Sequence, residues 1–365
     1  MRAVVLTEAG RPPEVVDVTL APPGPGEVLV DIAAAGVCHS DLHVLRGDWP
    51  VPFPLVMGHE GAGVVSSVGA DVANLAPGDH VVLSWHAPCG ECARCRLGRE
   101  TQCPTNARVV AAGGVLFDGS SRLSREGALL HHYLGVSSFA EQAVVPASGA
   151  IPVRPDVPLD LAALVGCAVA TGVGAVIRAA EVEEGATVVV IGTGGVGLSV
   201  VQGARLAGAA RIVAVDLLTS KLAAAVQLGA TDVVDASVDN PTDAVLALLP
   251  DGADYAFDAI GHPTTTEQAI SCLGPGGAAV VVGLPATGTR ASFEPLSLAE
   301  SDQRIIGTNY GSVRPSRDIP LLVEWAMAGR LDLEGLVSAR RPLDEAADAL
   351  VDLQEGRALR QLLVP

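Results

Sequence analysis

The chain has 365 residues, 49% of them hydrophobic and 18% charged, which excludes a disordered protein and suggests two well-packed domains. Its formal net charge of −18 excludes binding to the phosphate backbone of nucleic acids, because like charges repel. No basic and apolar leader follows Met1, and no polar-free run is long enough to span a bilayer, so we expect a cytoplasmic protein.

Residues 1–36 alternate apolar residues with clusters of Pro and Gly, which predicts short strands in a small β-rich domain. Two segments with candidate metal ligands follow, Cys38-His39-Ser40-Asp41 and Gly58-His59-Glu60-Gly61. The Cys38 thiolate and the His59 imidazole are ligand types that Zn²⁺ prefers. Taken singly they are weak indications, because a Cys or His beside glycines is more often structural.

A more specific pattern is the loop Cys89-x-x-Cys92-x-x-Cys95-x7-Cys103. The C-x-x-C spacing lets the backbone curl around a tetrahedral Zn²⁺, and four sulfurs leave no open position on the metal. We therefore predict a structural zinc that clamps this loop, in preference to free thiols or disulfides. A zinc module that binds nucleic acid is a poor alternative, since the loop has few arginines and the chain is acidic.

Of the seven cysteines, three lie outside this loop: Cys38, Cys167 and Cys272. Together, Cys38, His59 and Cys167 would supply two thiolates and one imidazole with the fourth position open, which is the arrangement of a catalytic zinc. Cys272 ends a predicted helix that begins near Thr264, and we expect it to be a buried apolar thiol.

The stretch Thr187–Asp216 predicts one β-turn-α-β unit that binds a dinucleotide. Apolar strands at Thr187–Ile191 and Arg211–Val215 flank the turn Gly192-Thr193-Gly194-Gly195-Val196-Gly197 and a helix. The first glycine makes the tight turn, the second admits a pyrophosphate to the helix N-terminus, and the third packs helix on strand. Asp216 is placed to accept both hydroxyls of the adenosine ribose. A glycine-rich turn that binds nothing is the alternative, which the order of strand, helix and acid disfavours.

Strands and helices continue to alternate after Asp216, which predicts a doubly wound sheet. The predicted elements are helices at 220–228, 241–249 and 264–272 and strands at 232–234, 253–258 and 278–283. Near the end of the chain we expect a helix around 343–353 and a strand at 360–364.

Together, the segment Gly58–Gly69, the four-cysteine loop, the segment Gly166–Gly172 and the glycine turn resemble the zinc-containing medium-chain alcohol dehydrogenases over essentially the whole chain. The segment from Asp118 to Gly135 is typical of their long-loop branch, which includes animal and glutathione-dependent formaldehyde dehydrogenase-like members. The resemblance implies an α/β fold in which a GroES-like β-rich catalytic domain, residues 1–168 and 310–365, carries an inserted doubly wound Rossmann domain, residues 169–309. It also implies an active site in the cleft between the two domains.

The resemblance assigns roles around the metal. The catalytic zinc ligands would be Cys38, His59 and Cys167. Asp41 would orient His59, and Glu60 would be the carboxylate behind the zinc that can approach it transiently. Ser40 and His43 resemble the two ends of a proton relay with the cofactor ribose between them, although an ordinary turn serine and a surface histidine are the alternatives.

For the cofactor, the resemblance implies NAD. It predicts contacts to the pyrophosphate from His39 and Arg360, to the adenosine ribose from Lys221 and to the nicotinamide from Thr171. The pocket above the zinc would be lined by Trp49, Trp85, Tyr133 and Leu284. Glutathione-handling relatives carry an acidic residue where Trp49 lies, so we expect aliphatic or aromatic primary alcohols as substrates, although the adjacent Asp48 weakens that distinction.

The sequence therefore predicts an NAD-dependent alcohol dehydrogenase with two zinc ions per chain, one catalytic and one structural, that interconverts primary alcohols and aldehydes. Three alternatives stay open: a thiol-adduct-dependent formaldehyde dehydrogenase, a nicotinoprotein that keeps its NAD bound, and a non-enzymatic dinucleotide-binding protein. The intact set of three candidate zinc ligands disfavours the last. We expect no nucleic-acid or membrane partner, and a homodimer joined through the region 303–311.

Overall fold

The computed structural model describes all 365 residues, and the chain divides into two compact units. The first unit comprises Met1–Cys167 and Arg314–Pro365, and the second comprises Ala168–Val313. No single helix is long and apolar enough to cross a bilayer; one bent pair, Leu159–Gly166 with Ala168–Ala180, meets the length and composition criteria only when its two helices are taken together.

The first unit begins with eleven strands and three helices. In chain order they are β1 (Arg2–Leu6), β2 (Glu14–Asp17), β3 (Thr19–Leu20), β4 (Glu27–Val37), α1 (His39–Arg46), β5 (Leu55–Val56), β6 (Glu60–Val68), β7 (His80–Leu83), α2 (Ala93–Arg96), β8 (Leu123–Arg125), β9 (Ala128–His132), β10 (Gln142–Pro146), β11 (Ala150–Pro152) and α3 (Leu159–Ala163). Strands β2, β1, β5, β9, β8 and β3 form one six-stranded sheet in that order. The β-rich character matches the prediction, but β4 is one strand of 11 residues and not several short ones.

Strands β4 and β6 bring two candidate ligands together. They pair antiparallel with Gly36 opposite Glu60. Strand β4 ends directly before Cys38, and β6 begins directly after His59. In an antiparallel pair, the end of one strand lies beside the start of the other. Cys38 and His59 therefore lie side by side.

The second unit is a parallel sheet with helical connections, which confirms the doubly wound fold. Its elements are α4 (Ala168–Gly174), β12 (Thr187–Ile191), α5 (Gly195–Ala207), β13 (Arg211–Asp216), α6 (Thr219–Leu228), β14 (Asp232–Asp235), α7 (Pro241–Leu248), β15 (Ala253–Asp258), α8 (Pro263–Ser271), β16 (Leu273–Val281), α9 (Pro295–Glu300) and β17 (Arg304–Gly307). The strand order is β14-β13-β12-β15-β16-β17, so β12 is central and its carboxyl end marks the point where the order reverses.

Strand β16 differs from its predicted bounds. It begins at Leu273, five residues before the predicted start at Ala278, and runs through the stretch Gly274-Pro275-Gly276-Gly277. Glycine and proline mark turns in most sequences, so the apolar pattern did not predict that the strand includes these residues. A bulge between Ala253 and Tyr255 of β15 lets the irregular start pair with its neighbour.

The chain then returns to the first unit through α10 (Pro315–Met327), β18 (Val337–Pro342), α11 (Ala346–Gln354) and β19 (Arg360–Val364). The predicted helix at 343–353 starts three residues later, because Leu343–Glu345 form a 3-10 turn after Pro342. Strand β19 pairs antiparallel with β4, with Gln361 opposite Val37. This pairing joins β19 and β18 to the second sheet of the unit, whose strand order is β11-β7-β6-β4-β19-β18. It also brings Arg360 beside Cys38.

Candidate active site

Three buried ligand atoms converge in the first unit. The Cys38 and Cys167 sulfurs and a ring nitrogen of His59 all lie within 4.8 Å of one another. Two thiolates and one imidazole form a donor set that suits Zn²⁺ and leaves a fourth tetrahedral position for another ligand.

One carboxylate holds two of these ligands in place. Asp41 Oδ2 accepts the backbone N–H of Cys38 at 2.9 Å, and Asp41 Oδ1 lies 3.3 Å from His59 Nδ1. The second ring nitrogen, His59 Nε2, is buried and has no hydrogen-bond partner. A buried polar atom without a partner is costly, and a metal ion is the partner this donor set fits.

The groups around the cluster favour the thiolate form of Cys38, while the hydrogen bond to Cys38 and burial raise the pKa of Cys167 well above its ordinary value. A hydrogen bond from Cys167 holds the pKa of Cys38 well below its ordinary value, against the effect of burial, and the positive charge of Arg360 acts in the same direction. Burial opposes charge on the His59 ring, but the Asp41 carboxylate and the Cys38 thiolate outweigh it and raise the pKa of His59 to about 10. A cation that bound here would therefore displace a proton from the ring.

Glu60 and Arg360 form a fully buried ion pair beside the cluster. The space for the Glu60 side chain exists because residue 36 is glycine: a Cβ at that position would lie 1.8 Å from Glu60 Oε1. Only 2% of Arg360 is exposed. Its predicted contact to a pyrophosphate stays a prediction, and its pairing with Glu60 was not foreseen because the two residues are 300 positions apart.

The two ends of the predicted relay lie on α1. Ser40 Oγ is 3.8 Å from Cys38 Sγ, so a hydroxyl lies next to the three candidate zinc ligands. His43 lies in the last turn of the helix, where Nδ1 is 2.8 Å from Asp48 Oδ2. The pairing of Asp48 with His43 was not predicted; the sequence signal that points toward it is Gly47, a helix-ending glycine that turns the chain back.

Of the predicted pocket residues in the first unit, the structure places Tyr133 against His59 and Trp49 against His43, whereas the place of Trp85 in the pocket stays a prediction. Tyr133 is buried, donates its hydroxyl to the Ser40 carbonyl at 2.9 Å and meets the His59 ring edge-on at 5.4 Å. Trp49 stacks on His43 with ring centroids 4.5 Å apart. Trp85 packs against the His86 ring, also at 4.5 Å. The exposed His39 is the first residue of α1.

The four cysteines of the loop form a second cluster in the first unit. Their sulfurs lie within 4.8 Å of one another, with Cys92 Sγ 3.4 Å from Cys95 Sγ and 4.0 Å from Cys103 Sγ. The loop between them has only short regular elements, the single turn of α2 and a 3-10 turn at Glu100–Gln102. Four thiolates fill a tetrahedral zinc completely, so this donor set suits a structural ion.

In the second unit, the glycine turn between β12 and α5 has room for a ligand at one position. A Cβ at Gly197 would lie 1.7 Å from the Gly192 carbonyl oxygen, so close packing requires glycine there. Gly194, the N-cap of α5, has an ordinary φ of −76°, and a Cβ there would meet nothing within 4 Å. Neither backbone strain nor protein packing explains this glycine, whereas a pyrophosphate against the helix N-terminus would.

Asp216 at the end of β13 is held beside this turn. Its Oδ2 accepts the backbone N–H of Thr193 at 2.8 Å and the Thr193 hydroxyl at 3.0 Å, and its Oδ1 accepts the Leu218 N–H at 3.1 Å. The other predicted residues of this unit are the half-exposed Lys221 on α6, the buried Thr171 on α4, the exposed Leu284 after β16, and Gly195 and Val196 in the first turn of α5.

Two family models match the chain. The alcohol dehydrogenase GroES-like domain matches residues 24–155, and the zinc-binding dehydrogenase family matches residues 195–328. These matches confirm the predicted pair of domain types and the expectation of a zinc-binding oxidoreductase.

Individual relatives cover almost the whole length. An S-(hydroxymethyl)glutathione dehydrogenase of Synechocystis sp. is 38% identical over 99% of both chains. The crystal structure of benzyl alcohol dehydrogenase from Acinetobacter calcoaceticus is 34% identical, covers 100% of this chain and 98% of its own, and superposes with a TM-score of 0.94. A zinc-binding dehydrogenase structure from Sinorhizobium meliloti, bound to NADP, is 27% identical over 100% and 99% of the two chains, with a TM-score of 0.82.

Proposed function

This chain belongs to the zinc-dependent alcohol dehydrogenase family, and we propose that it interconverts primary alcohols and aldehydes with NAD. The observation that carries the proposal is the buried set Cys38, His59 and Cys167, in which His59 Nε2 has no partner within the protein. Three ligands with an open fourth position, beside the Ser40 hydroxyl, suit a site that binds an alcohol oxygen.

When bound, the zinc supplies Lewis acidity that lowers the pKa of an alcohol, and NAD supplies the hydride acceptor. The protein's own residues position the groups and move the proton. Ser40 Oγ would take up the alcohol proton while giving up its own hydroxyl proton, and His43 would be the base that delivers a proton to water. Asp41 orients His59, while Gly194 and Asp216 would hold the cofactor's pyrophosphate and adenosine ribose.

Aromatic side chains favour a flat or linear apolar substrate. Tyr133 meets the His59 ring edge-on and Trp49 stacks on His43, in a chain with only 3% aromatic residues, while Trp85 is a pocket residue by the family resemblance alone. Such rings stack on a benzyl group or an alkyl chain and crowd a branched carbinol. The likeness to benzyl alcohol dehydrogenase supports the same substrate class.

A second candidate function is the oxidation of S-(hydroxymethyl)glutathione, which the name of the Synechocystis relative supports. The polar tripeptide of such a substrate needs charged partners at the pocket mouth. Asp48 is the nearby carboxylate, and it is already bound to His43. Trp49 follows it with an apolar ring, so simple alcohols fit better.

A substrate panel tests the proposal. For the zinc-loaded enzyme with added NAD, we expect kcat/KM for benzyl alcohol and hexanol to exceed that for 2-butanol and sorbitol at least roughly tenfold, about 1.4 kcal/mol. Trp85→Ala should narrow this gap, whereas Trp325→Ala on α10, beside Arg330, should leave it unchanged. A higher kcat/KM for S-(hydroxymethyl)glutathione than for every simple alcohol would refute the substrate assignment. Turnover without added NAD, but with an artificial electron acceptor, would instead identify a nicotinoprotein.

A further inference from the structure

A three-residue cluster lies at the end of α1 and comprises His43, Asp48 and Trp49. His43 Nδ1 and Asp48 Oδ2 are 2.8 Å apart, and the two side chains are only 20% and 28% exposed. The Trp49 ring stacks on the imidazole with an interplanar angle of 22° and, partly buried, packs against the apolar core of the first unit.

The backbone brings Asp48 back to His43. Helix α1 ends at Gly47, which has the left-handed φ of 77° that favours glycine. Beyond it, the backbone N–H of Asp48 donates to the His43 carbonyl at 2.9 Å. The carboxylate is thus placed by the helix end itself and not by a flexible loop.

The charges at this helix end favour a proton on Nδ1 of His43. The C-terminal end of a helix carries partial negative charge, and the Asp48 carboxylate adds a full one. A neutral imidazole has one donor and one acceptor nitrogen, and the partner of one nitrogen decides the tautomer. With Nδ1–H donating to Asp48, the lone pair lies on Nε2.

We propose that Asp48 is a positioning residue for proton transfer: it fixes the tautomer and orientation of His43 so that Nε2 accepts the proton, while Trp49 keeps the ring from turning. The inference rests on the proposed function, in which the alcohol loses a hydride to NAD and a proton to water. The proton bound at Nε2 gives an imidazolium, and its release to water restores the neutral ring. No atom of Asp48 touches the substrate.

A double-mutant cycle tests whether Asp48 acts through His43. Asp48→Asn keeps the size of the side chain but removes the charge, and we expect it to lower kcat for benzyl alcohol roughly tenfold with little change in KM. In the His43→Gln background the same substitution should change kcat less than about twofold. Asp17→Asn is the matched control, because Asp17 is an exposed carboxylate of the same unit without a side-chain hydrogen bond, and kcat should not change.

A spectroscopic measurement keeps this inference separate from the activity itself. In the zinc-loaded protein with ¹⁵N-labelled histidine, long-range ¹H–¹⁵N correlation should show His43 protonated at Nδ1 in the wild type and a mixture of tautomers in Asp48→Asn. Equal losses of kcat in both backgrounds, or an unchanged tautomer, would overturn the role of Asp48. If the wild type oxidised no alcohol but showed the expected tautomers, the proposed function would fail while the pairing stood.

Discussion

Gly194 and Gly197 lie three residues apart in one turn, and the structure distinguishes what each is for. A side chain at Gly197 would collide with the Gly192 carbonyl, whereas one at Gly194 would point into open space. We expect Gly197→Ala to lower the melting temperature by several degrees. We expect Gly194→Ala to leave stability nearly unchanged and to weaken NADH binding at least tenfold, because the methyl group would occupy the place of the pyrophosphate.

Calorimetric melting and a fluorescence titration with NADH measure the two effects independently. Equal affinity for NADH in Gly194→Ala and wild type would mean that the dinucleotide does not bind at this turn.

We expect Asp216 to determine which dinucleotide is used. Its carboxylate is fixed by Thr193 and Leu218, and a 2′-phosphate placed next to it would be repelled. The exposed Leu217 that follows supplies no compensating cation. We expect kcat/KM with NAD to exceed that with NADP at least roughly tenfold, and Asp216→Gly to lose most of the difference.

Asp216 also anchors the glycine turn, so Asp216→Asn is the better-matched variant: it removes the charge and keeps an oxygen for the Thr193 N–H. A wild-type preference for NADP, the cofactor bound to the Sinorhizobium meliloti relative, would contradict the prediction. Equal use of both cofactors by the wild type would contradict it too.

At the scale of elements, the four-cysteine loop depends on its metal more than any helix or strand does. Glu100 anchors it to the C-terminal part of the first unit, through a 2.9 Å ion pair with Arg314 and weak hydrogen bonds from the Ser316 hydroxyl. Because the free energy of metal binding to such a loop is folding free energy, we expect Cys95→Ser to lower the melting temperature by at least about 5 °C. Cys38→Ser should instead abolish turnover and lower the melting temperature much less.

The number of zinc ions per chain in the wild type and the variants provides a second test. We expect two zinc ions per chain in the wild type, one in each of these variants, and two in Cys272→Ala, the control at a buried thiol outside both clusters. If Cys95→Ser had the same melting temperature as the wild type, the assignment of a structural zinc to this loop would be wrong.

The elements that the sequence predicted well are those with a strong local pattern. Strand β12 matches its predicted bounds, and β15 does too, because each is a buried strand ended by a clear turn signal. Strand β16 was predicted five residues too short, since its glycines carry no apolar pattern and pairing with β15 decides its start. Local propensity cannot report such pairing.

The candidate site divides in the same way. Cysteine spacing and the glycine turn carry their chemistry within a few residues, so both could be proposed from the sequence. The ion pair of Glu60 with Arg360 depends on strand β19 returning to β4, and no local signal announces it. The contact of Asp48 with His43 is local: Gly47 signals that the chain turns back, but only the geometry of the helix end shows that the carboxylate reaches the ring.

At the scale of the whole molecule, β17 is an edge strand. It is the last strand of the parallel sheet in the second unit, and only β16 pairs with it. Edge strands present unpaired N–H and C=O groups, and Ile305 on this one is 38% exposed, so the edge is suited to pair with another copy of itself. We expect a homodimer in which two β17 strands join across a two-fold axis.

Sedimentation velocity at micromolar concentration should show a single species of twice the 37.0 kDa chain mass. Ile305→Lys places a charge on the edge and should produce monomers, because a buried lysine without a partner opposes pairing of the strands. Val238→Lys is the matched control: Val238 is 78% exposed in the same unit but lies outside the strand, so this variant should remain dimeric. A wild-type monomer would contradict the prediction outright. A dimer that survives Ile305→Lys would show that the two copies meet through a different surface.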